Sequence, residues 1–152
     1  LGGAMGGYTT GKKEIIEMLR QKSRPYLFSN SLAPSIVGAA NKVFEILSSS
    51  TKLRDQLEKN TSYFKKKIIE AGFDIKAGNS PIIPIMLYDA ALSQKFADML
   101  LEQGVYAVGF FYPVVPKGKA RIRTQISAAH TKEHLDLAIS AFVKVGKQLN
   151  VI

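Results

Sequence analysis

Apolar residues recur at helical spacing through most of the first seventy positions. Ile15, Ile16 and Leu19 share one face of a helix predicted over Lys12 to Lys22. Pro25 is expected to stop that helix. The segment RPYLFSNSLAP (Arg24 to Pro34) then reads as a loop between two prolines, with apolar anchors and hydrogen-bonding side chains. From Pro34 onward, Ile36, Val37, Ala40, Val43, Phe44 and Leu47 fall three or four residues apart and predict a longer helix. The run SSST at Ser48 to Thr51 interrupts it. Thr51 is placed to cap a third helix, with Leu53, Leu57, Phe64 and Ile68 as its buried stripe and Gly72 as its stop.

Beyond Gly72 the period changes. PIIPIML (Pro81 to Leu87) is short and β-branched, and its prolines assign it to an edge or an irregular strand. Ala90 to Gln103 is a predicted helix with Leu92, Phe96, Met99 and Leu100 inward, ended by Gly104. Val105 to Phe111 is a strand candidate, followed by the loop PVVPKGK. Ala120 to Ser127 alternates cleanly. Ala120, Ile122, Thr124 and Ile126 face one way, while Lys119, Arg121, Arg123 and Gln125 face the other. Thr131 caps a last helix running to about Leu149, with Leu135, Ile139, Phe142 and Val143 inward. Glu133 and Asp136 sit near its positive end, Lys144 and Lys147 near its negative end. Two or three short strands with helices on one face make an α/β or α+β layer, its small sheet antiparallel or mixed.

Composition narrows the function classes. The chain has 152 residues, 46% hydrophobic and 22% charged, enough for one core. It has no cysteine, which excludes disulfides, thiolate metal sites and cysteine nucleophiles. Its two histidines make a histidine-rich metal site improbable. No window approaches the roughly 18 apolar residues of a spanning helix, and the start lacks the order of a signal peptide. A soluble, cytoplasmic protein is expected. Twenty-one Lys and Arg against twelve Asp and Glu give a net charge of +9. These cations are spread along the chain, and the aromatics sit at apolar positions instead of interleaving with them. A nucleic-acid surface is therefore weakly supported. The opening LGGAMGGYTTG holds five glycines but matches neither a P-loop nor a dinucleotide fingerprint.

Arg121 and Arg123 are the most suggestive pair for chemistry. Two guanidiniums on one strand face, beside a loop pinned by proline and glycine, suit a carboxylate; from spacing alone a solvated polar face is the more ordinary reading. Lys117 and Lys119 would strengthen an anion site there. His130 reads as a capping or structural histidine, and His134 as exposed. Asp89 and Asp98 have no paired carboxylate, and no Ser/His/Asp order is visible.

Three segments carry a resemblance: LGGAMGGYTTG, RPYLFSNSLAP and GFFYPVVPKGKARIRTQISAAHT (Gly109 to Thr131). Together they resemble the α-oxoamine synthase family of pyridoxal-phosphate enzymes, and within it the branch that joins glycine to acetyl-CoA. Met5 departs from the small residue expected there. The resemblance implies the C-terminal part of a fold-type-I transferase: residues 1–40 would be the tail of a large cofactor domain and the start of a linking helix, and 41–152 the small C-terminal domain. The Schiff-base lysine is expected just upstream of Leu1, so no catalytic residue is assigned within the chain and the fragment alone is expected to be inactive. Arg123 matches the arginine that binds the amino-acid carboxylate. Ser29 and Asn30 match the loop reaching the pyridoxal 5'-phosphate of the partner subunit in a homodimer, with Phe28 packed beside it. The implied reaction gives 2-amino-3-ketobutyrate and CoA, run in either direction in threonine and glycine metabolism, with no nucleic-acid, membrane or metal partner. A sister synthase with another amino acid or acyl-CoA, and a basic anion-binding module, are the alternatives.

Overall fold

A computed structural model describes residues 4–152; Leu1 to Gly3 of the glycine-rich opening lie outside the described residues. The chain falls into two units, one ending at Thr51 and the other beginning at Lys52.

The first unit contains helices α1 (Lys13–Lys22), α2 (Arg24–Phe28) and α3 (Pro34–Ser49). Here Pro25 begins a helix instead of leaving a loop. α1 does end before it, on Ser23 in extended backbone, whose N–H bonds Leu19 O at 2.8 Å. The proline then occupies the first turn of α2, where its missing N–H costs nothing. Its carbonyl accepts from Ser29 N at 2.9 Å. The expected loop of eleven residues thus shrinks to the stretch from Ser29 to Ala33. Pro34 starts α3 by the same logic. On α3, Ile36, Ala40, Val43 and Leu47 are half-buried, and the Phe44 ring meets Tyr8 edge-on at 5.5 Å. Residue 40 lies inside this continuous helix.

The second unit runs α4 (Lys52–Glu70), β1 (Ile82–Tyr88), α5 (Ala90–Glu102), β2 (Val108–Phe110), β3 (Ala120–Gln125) and α6 (Lys132–Gln148). The sheet order is β1-β3-β2 and both pairings are antiparallel, which decides between the antiparallel and mixed alternatives. β1 is an edge strand, as its prolines required. On its outer side Met86 N bonds Asp74 O at 2.8 Å and Lys76 N bonds Pro84 O at 3.0 Å. Pro84 therefore faces its missing N–H away from β3, where no ladder bond is lost.

β3 is the central strand, and its alternation is realised. Ala120, Ile122, Thr124 and Ile126 are buried, whereas Arg123 and Gln125 are exposed and Arg121 half-buried. Ile122 lies opposite Ile85, and Thr124 opposite Ile83. The Thr124 hydroxyl donates to Ile83 O at 2.8 Å, so a polar residue on the core face stays satisfied. α5 packs against all three strands, and α6 packs against α5 and α4. Between them, Phe142 meets Phe64, Phe73 and Phe96 at ring distances of 6.2, 6.1 and 5.7 Å. Gly109 is what lets β2 lie so close to α5: a Cβ there would stand 2.9 Å from the Ser93 carbonyl oxygen. α5 ends at Gly104, in left-handed backbone at φ 78°. The predicted stripe of α4 begins one turn late. Leu53 is 57% exposed, whereas Phe64 and Ile68 further along the helix are buried.

α4 and α6 are also tied at their surface. The Tyr63 hydroxyl donates to Asp136, which pairs with Lys132 at 2.6 Å. The Lys132 ammonium and then the Tyr63 hydroxyl hold the Asp136 carboxyl below the usual aspartate range. A carboxyl depressed on folding stabilises the fold above its unfolded pKa and loses that contribution as pH falls through its folded pKa. Asp136→Asn is thus expected to lower the melting temperature at neutral pH, with the gap to wild type closing below the ordinary aspartate range. A gap unchanged across an acid titration of the melting temperature would exclude this tie.

Candidate functional site

Arg123 stands on the solvent face of β3, between Pro84 of β1 and Val108 of β2. Its guanidinium carbon lies 4.5 Å from the centre of the Phe110 ring, its diagonal neighbour across the strand pair. The contact aims a flexible side chain without consuming its hydrogen-bond donors. Arg123 lines a cavity of about 580 Å³, with Val108, Phe110 and Phe142 among its apolar walls and His130 and His134 also lining it.

Arg121 projects from the same strand face but lines a second cavity, of about 410 Å³, with Lys76 and Lys119. The two arginines that the sequence suggested as a pair are therefore divided between two cavities. Lys117 belongs to neither: its ammonium lies 5.2 Å from the centre of the Tyr112 ring.

Both histidines have structural hydrogen bonds. His130 Nδ1 accepts from Ser127 N–H at 3.2 Å. His134 and Thr131 bond reciprocally, each backbone N–H to the other's side chain at 3.3 Å, closing a capping box at the start of α6. His134 is exposed, as its sequence context suggested, and His130 is half-buried. The residue that positions His130 was not visible in the sequence. Asn60, 6% exposed, donates through Nδ2 to Ser127 O at 2.9 Å and to His130 O at 2.8 Å, and accepts from Gln56 Nε2 at 2.8 Å. Asp89 was likewise missed. It caps α5 by accepting from Leu92 N at 2.7 Å, and Asp followed by an apolar helix was the available signal.

Ser29 and Asn30 lie in the first unit, directly after α2, and both are exposed. Among the described residues neither side chain forms a hydrogen bond, so a hydroxyl and an amide remain available as donors. Such a donor set suits phosphate oxygens. Phe28 is exposed, with the Arg24 guanidinium 5.8 Å from its ring centre. Among the described residues no group of three or more His, Cys, Asp or Glu is placed to hold a metal, and no helix is long and apolar enough to cross a membrane.

Residues 2–142 match the family model for aminotransferase class I and II. Over all 152 residues the chain is 57% identical to 2-amino-3-ketobutyrate coenzyme A ligase of Escherichia coli and covers 38% of that protein. Over 150 residues, 99% of this chain and 38% of the relative, it is 51% identical to 8-amino-7-oxononanoate synthase of Thermosipho melanesiensis. A solved serine palmitoyltransferase from S. paucimobilis with bound PLP matches with a TM-score of 0.83 and 28% identity, over 90% of this chain and 35% of that one. The fold is thus that of the fold-type-I pyridoxal-phosphate enzymes. The chain spans less than two-fifths of the curated relatives it matches.

Asn60→Asp would turn two donated hydrogen bonds into acceptor–acceptor contacts with the Ser127 and His130 carbonyls. The expected cost is about 1–3 kcal/mol in urea unfolding, together with shifted His130 ring resonances in the folded protein. Wild-type stability and an unmoved His130 would show that Asn60 does not hold this loop.

Proposed function

This chain belongs to the aminotransferase class I and II family, and we propose that it is the C-terminal part of a pyridoxal-phosphate acyltransferase that joins glycine to acetyl-CoA. The products are 2-amino-3-ketobutyrate and CoA. The observation that carries the proposal is Arg123: an exposed guanidinium on a central strand, aimed by the Phe110 ring and lining a largely apolar cavity. The 57% identity to a ligase named for that product supports the choice of substrates. Residues 1–40 are the tail of the large cofactor domain and the start of the linking helix α3, and 41–152 form the small domain. The Schiff-base lysine comes from sequence outside these residues. We place the enzyme in the cytoplasm, as a homodimer with shared active sites.

Pyridoxal phosphate, when bound, supplies the electron sink for the pair left on the glycine Cα after loss of its proton. Arg123 binds the glycine carboxylate through two parallel N–H···O bonds. This fixes the orientation of the Cα–H bond and keeps the reacting carbon in place as the acetyl group arrives. Leaving the Phe110 ring costs the guanidinium only about 0.5–1 kcal/mol, which a bidentate ionic contact exceeds. Val108 and Phe110 flank that contact with apolar surface. Ser29 donates its hydroxyl, and Asn30 its amide, to the phosphate of the cofactor held by the partner subunit.

A second reading is favoured by the 51% identity to 8-amino-7-oxononanoate synthase. That product implies alanine and a seven-carbon dicarboxylic acyl-CoA. In the intact enzyme, turnover with glycine and acetyl-CoA but not with the alanine pair selects the first reading; the reverse preference selects the second.

Arg123→Ala in that enzyme is expected to raise the KM for glycine about 100-fold and to leave cofactor affinity unchanged; an unaltered glycine dependence would remove Arg123 from the site. Ser29→Ala is expected to weaken cofactor retention about fivefold to tenfold, read by titrating the apoenzyme dimer. Full retention would count against the phosphate role.

A further inference from the structure

The turn from β3 into α6 is closed by two imidazole nitrogens. Ser127 N–H donates to His130 Nδ1 at 3.2 Å, and Thr131 N–H donates to His134 Nδ1 at 3.3 Å. A backbone N–H can only donate, so each bond requires a bare Nδ1 and a ring whose proton sits on Nε2. A second proton on the ring goes to Nδ1 and sets donor against donor, and the bond is lost. Histidine is the side chain that makes this change close to neutral pH: free imidazole takes its second proton at about pH 6.5.

The two rings also act on each other. Their centres lie 6.5 Å apart, edge to face. Two imidazolium charges at that distance repel, and the groups around them do little to offset the repulsion. Arg123 of β3 and Tyr106, between α5 and β2, line the same cavity as both rings, and among the described residues no carboxylate lines it. On α6, Asp136 is already engaged by Lys132 and by Tyr63 of α4. Glu133 is engaged as well: its own backbone N–H and then the Thr131 hydroxyl hold its carboxyl below the usual glutamate range. The residues of α4 that meet the turn, Asn60 and behind it Gln56, carry no charge.

Asn60 sets how far the turn can open. Its bonds to the Ser127 and His130 carbonyls do not titrate, so they persist in acid. Farther along α6, Phe142 and Val145 are buried in the core and make no use of either histidine. Acid thus removes the two bonds at the start of α6 and leaves both the tether and the seated half of the helix. We propose that this turn is an acid-sensitive latch, closed by neutral His130 and His134 and opened by their protonation, with Asn60 as the tether about which it moves. Both rings wall the Arg123 cavity, so opening the latch changes the shape and the charge of that wall. The latch does not depend on the reaction proposed above.

The test is amide hydrogen exchange of the 152-residue chain, followed by NMR at about pH 8 and at about pH 5 and corrected for the intrinsic pH dependence of exchange. Protection at Ser127 and Thr131 is expected to fall about threefold to tenfold in acid, while Phe142 and Val145 keep theirs. His130→Asn and His134→Asn each put a side-chain oxygen where Nδ1 stood, an acceptor that does not titrate. Carrying both substitutions, the chain is expected to protect Ser127 and Thr131 equally at the two pH values. Ring nitrogen shifts of the wild-type chain are expected to show a bare Nδ1 and a protonated Nε2 in both histidines at the higher pH. Three results would each overturn the proposal: Ser127 and Thr131 protection untouched by acid in the wild-type chain, an equal acid loss in the double variant, or a proton on Nδ1 of either ring at the higher pH. The first and third need the wild-type chain alone, so they decide the matter whether or not the double variant folds.

Discussion

Everything in the second unit depends on the alternation of β3. The strand pairs on both sides, so its register is fixed twice, and its side chains divide into a buried set led by Ile122 and an outward set containing Arg121 and Arg123. A slip of one residue would bury two guanidiniums and expose the isoleucines. The cost of burying unpaired charge makes that alternative far higher in energy than the observed register. The force that builds the core therefore also fixes where the arginines emerge.

The supports around the strand follow the same logic. β1 accepts Pro84 because its outer edge takes a short strand-like segment in place of a full partner. β2 is only three residues long, and Gly109 lets it rest on α5. That places Phe110 where its ring meets the Arg123 guanidinium. On the other side of the strand, Asn60 holds the turn between β3 and α6 by two carbonyls, and the capping box at Thr131 starts α6 from there. A frame of short, mutually packed elements fixes where the Arg123 side chain emerges.

Sequence patterning shows clearly wherever one residue's neighbours decide its state. The alternation of β3, the stripes of α5 and α6 and the stop at Gly104 are all local, and all are present in the fold. Pro25 can end one helix or begin the next, and here it begins α2. Its place at the start of α2 depends on Ser23 ending the previous helix one residue earlier. Leu53 matched the helical period, but what lies opposite the first turn of α4 is not written in that period. Asn60 gave no local signal, because its partners lie 67 and 70 residues away. The separation of Arg121 from Arg123 was hidden for a related reason. Strand alternation puts both on one face, and only the tertiary placement of Lys76 and Phe110 sends them to different cavities. Ser29 and Asn30 were singled out by family resemblance, since exposed polar residues in a short connector have no distinguishing pattern of their own.

The most direct measurement is a crystal structure of the intact enzyme with its cofactor and glycine bound. The predicted result is the Arg123 guanidinium on the glycine carboxylate, with two N···O distances of about 2.7–2.9 Å, and displaced from its position over Phe110. A glycine carboxylate held by other groups, with Arg123 still stacked on the Phe110 ring, would contradict the role assigned to the central strand.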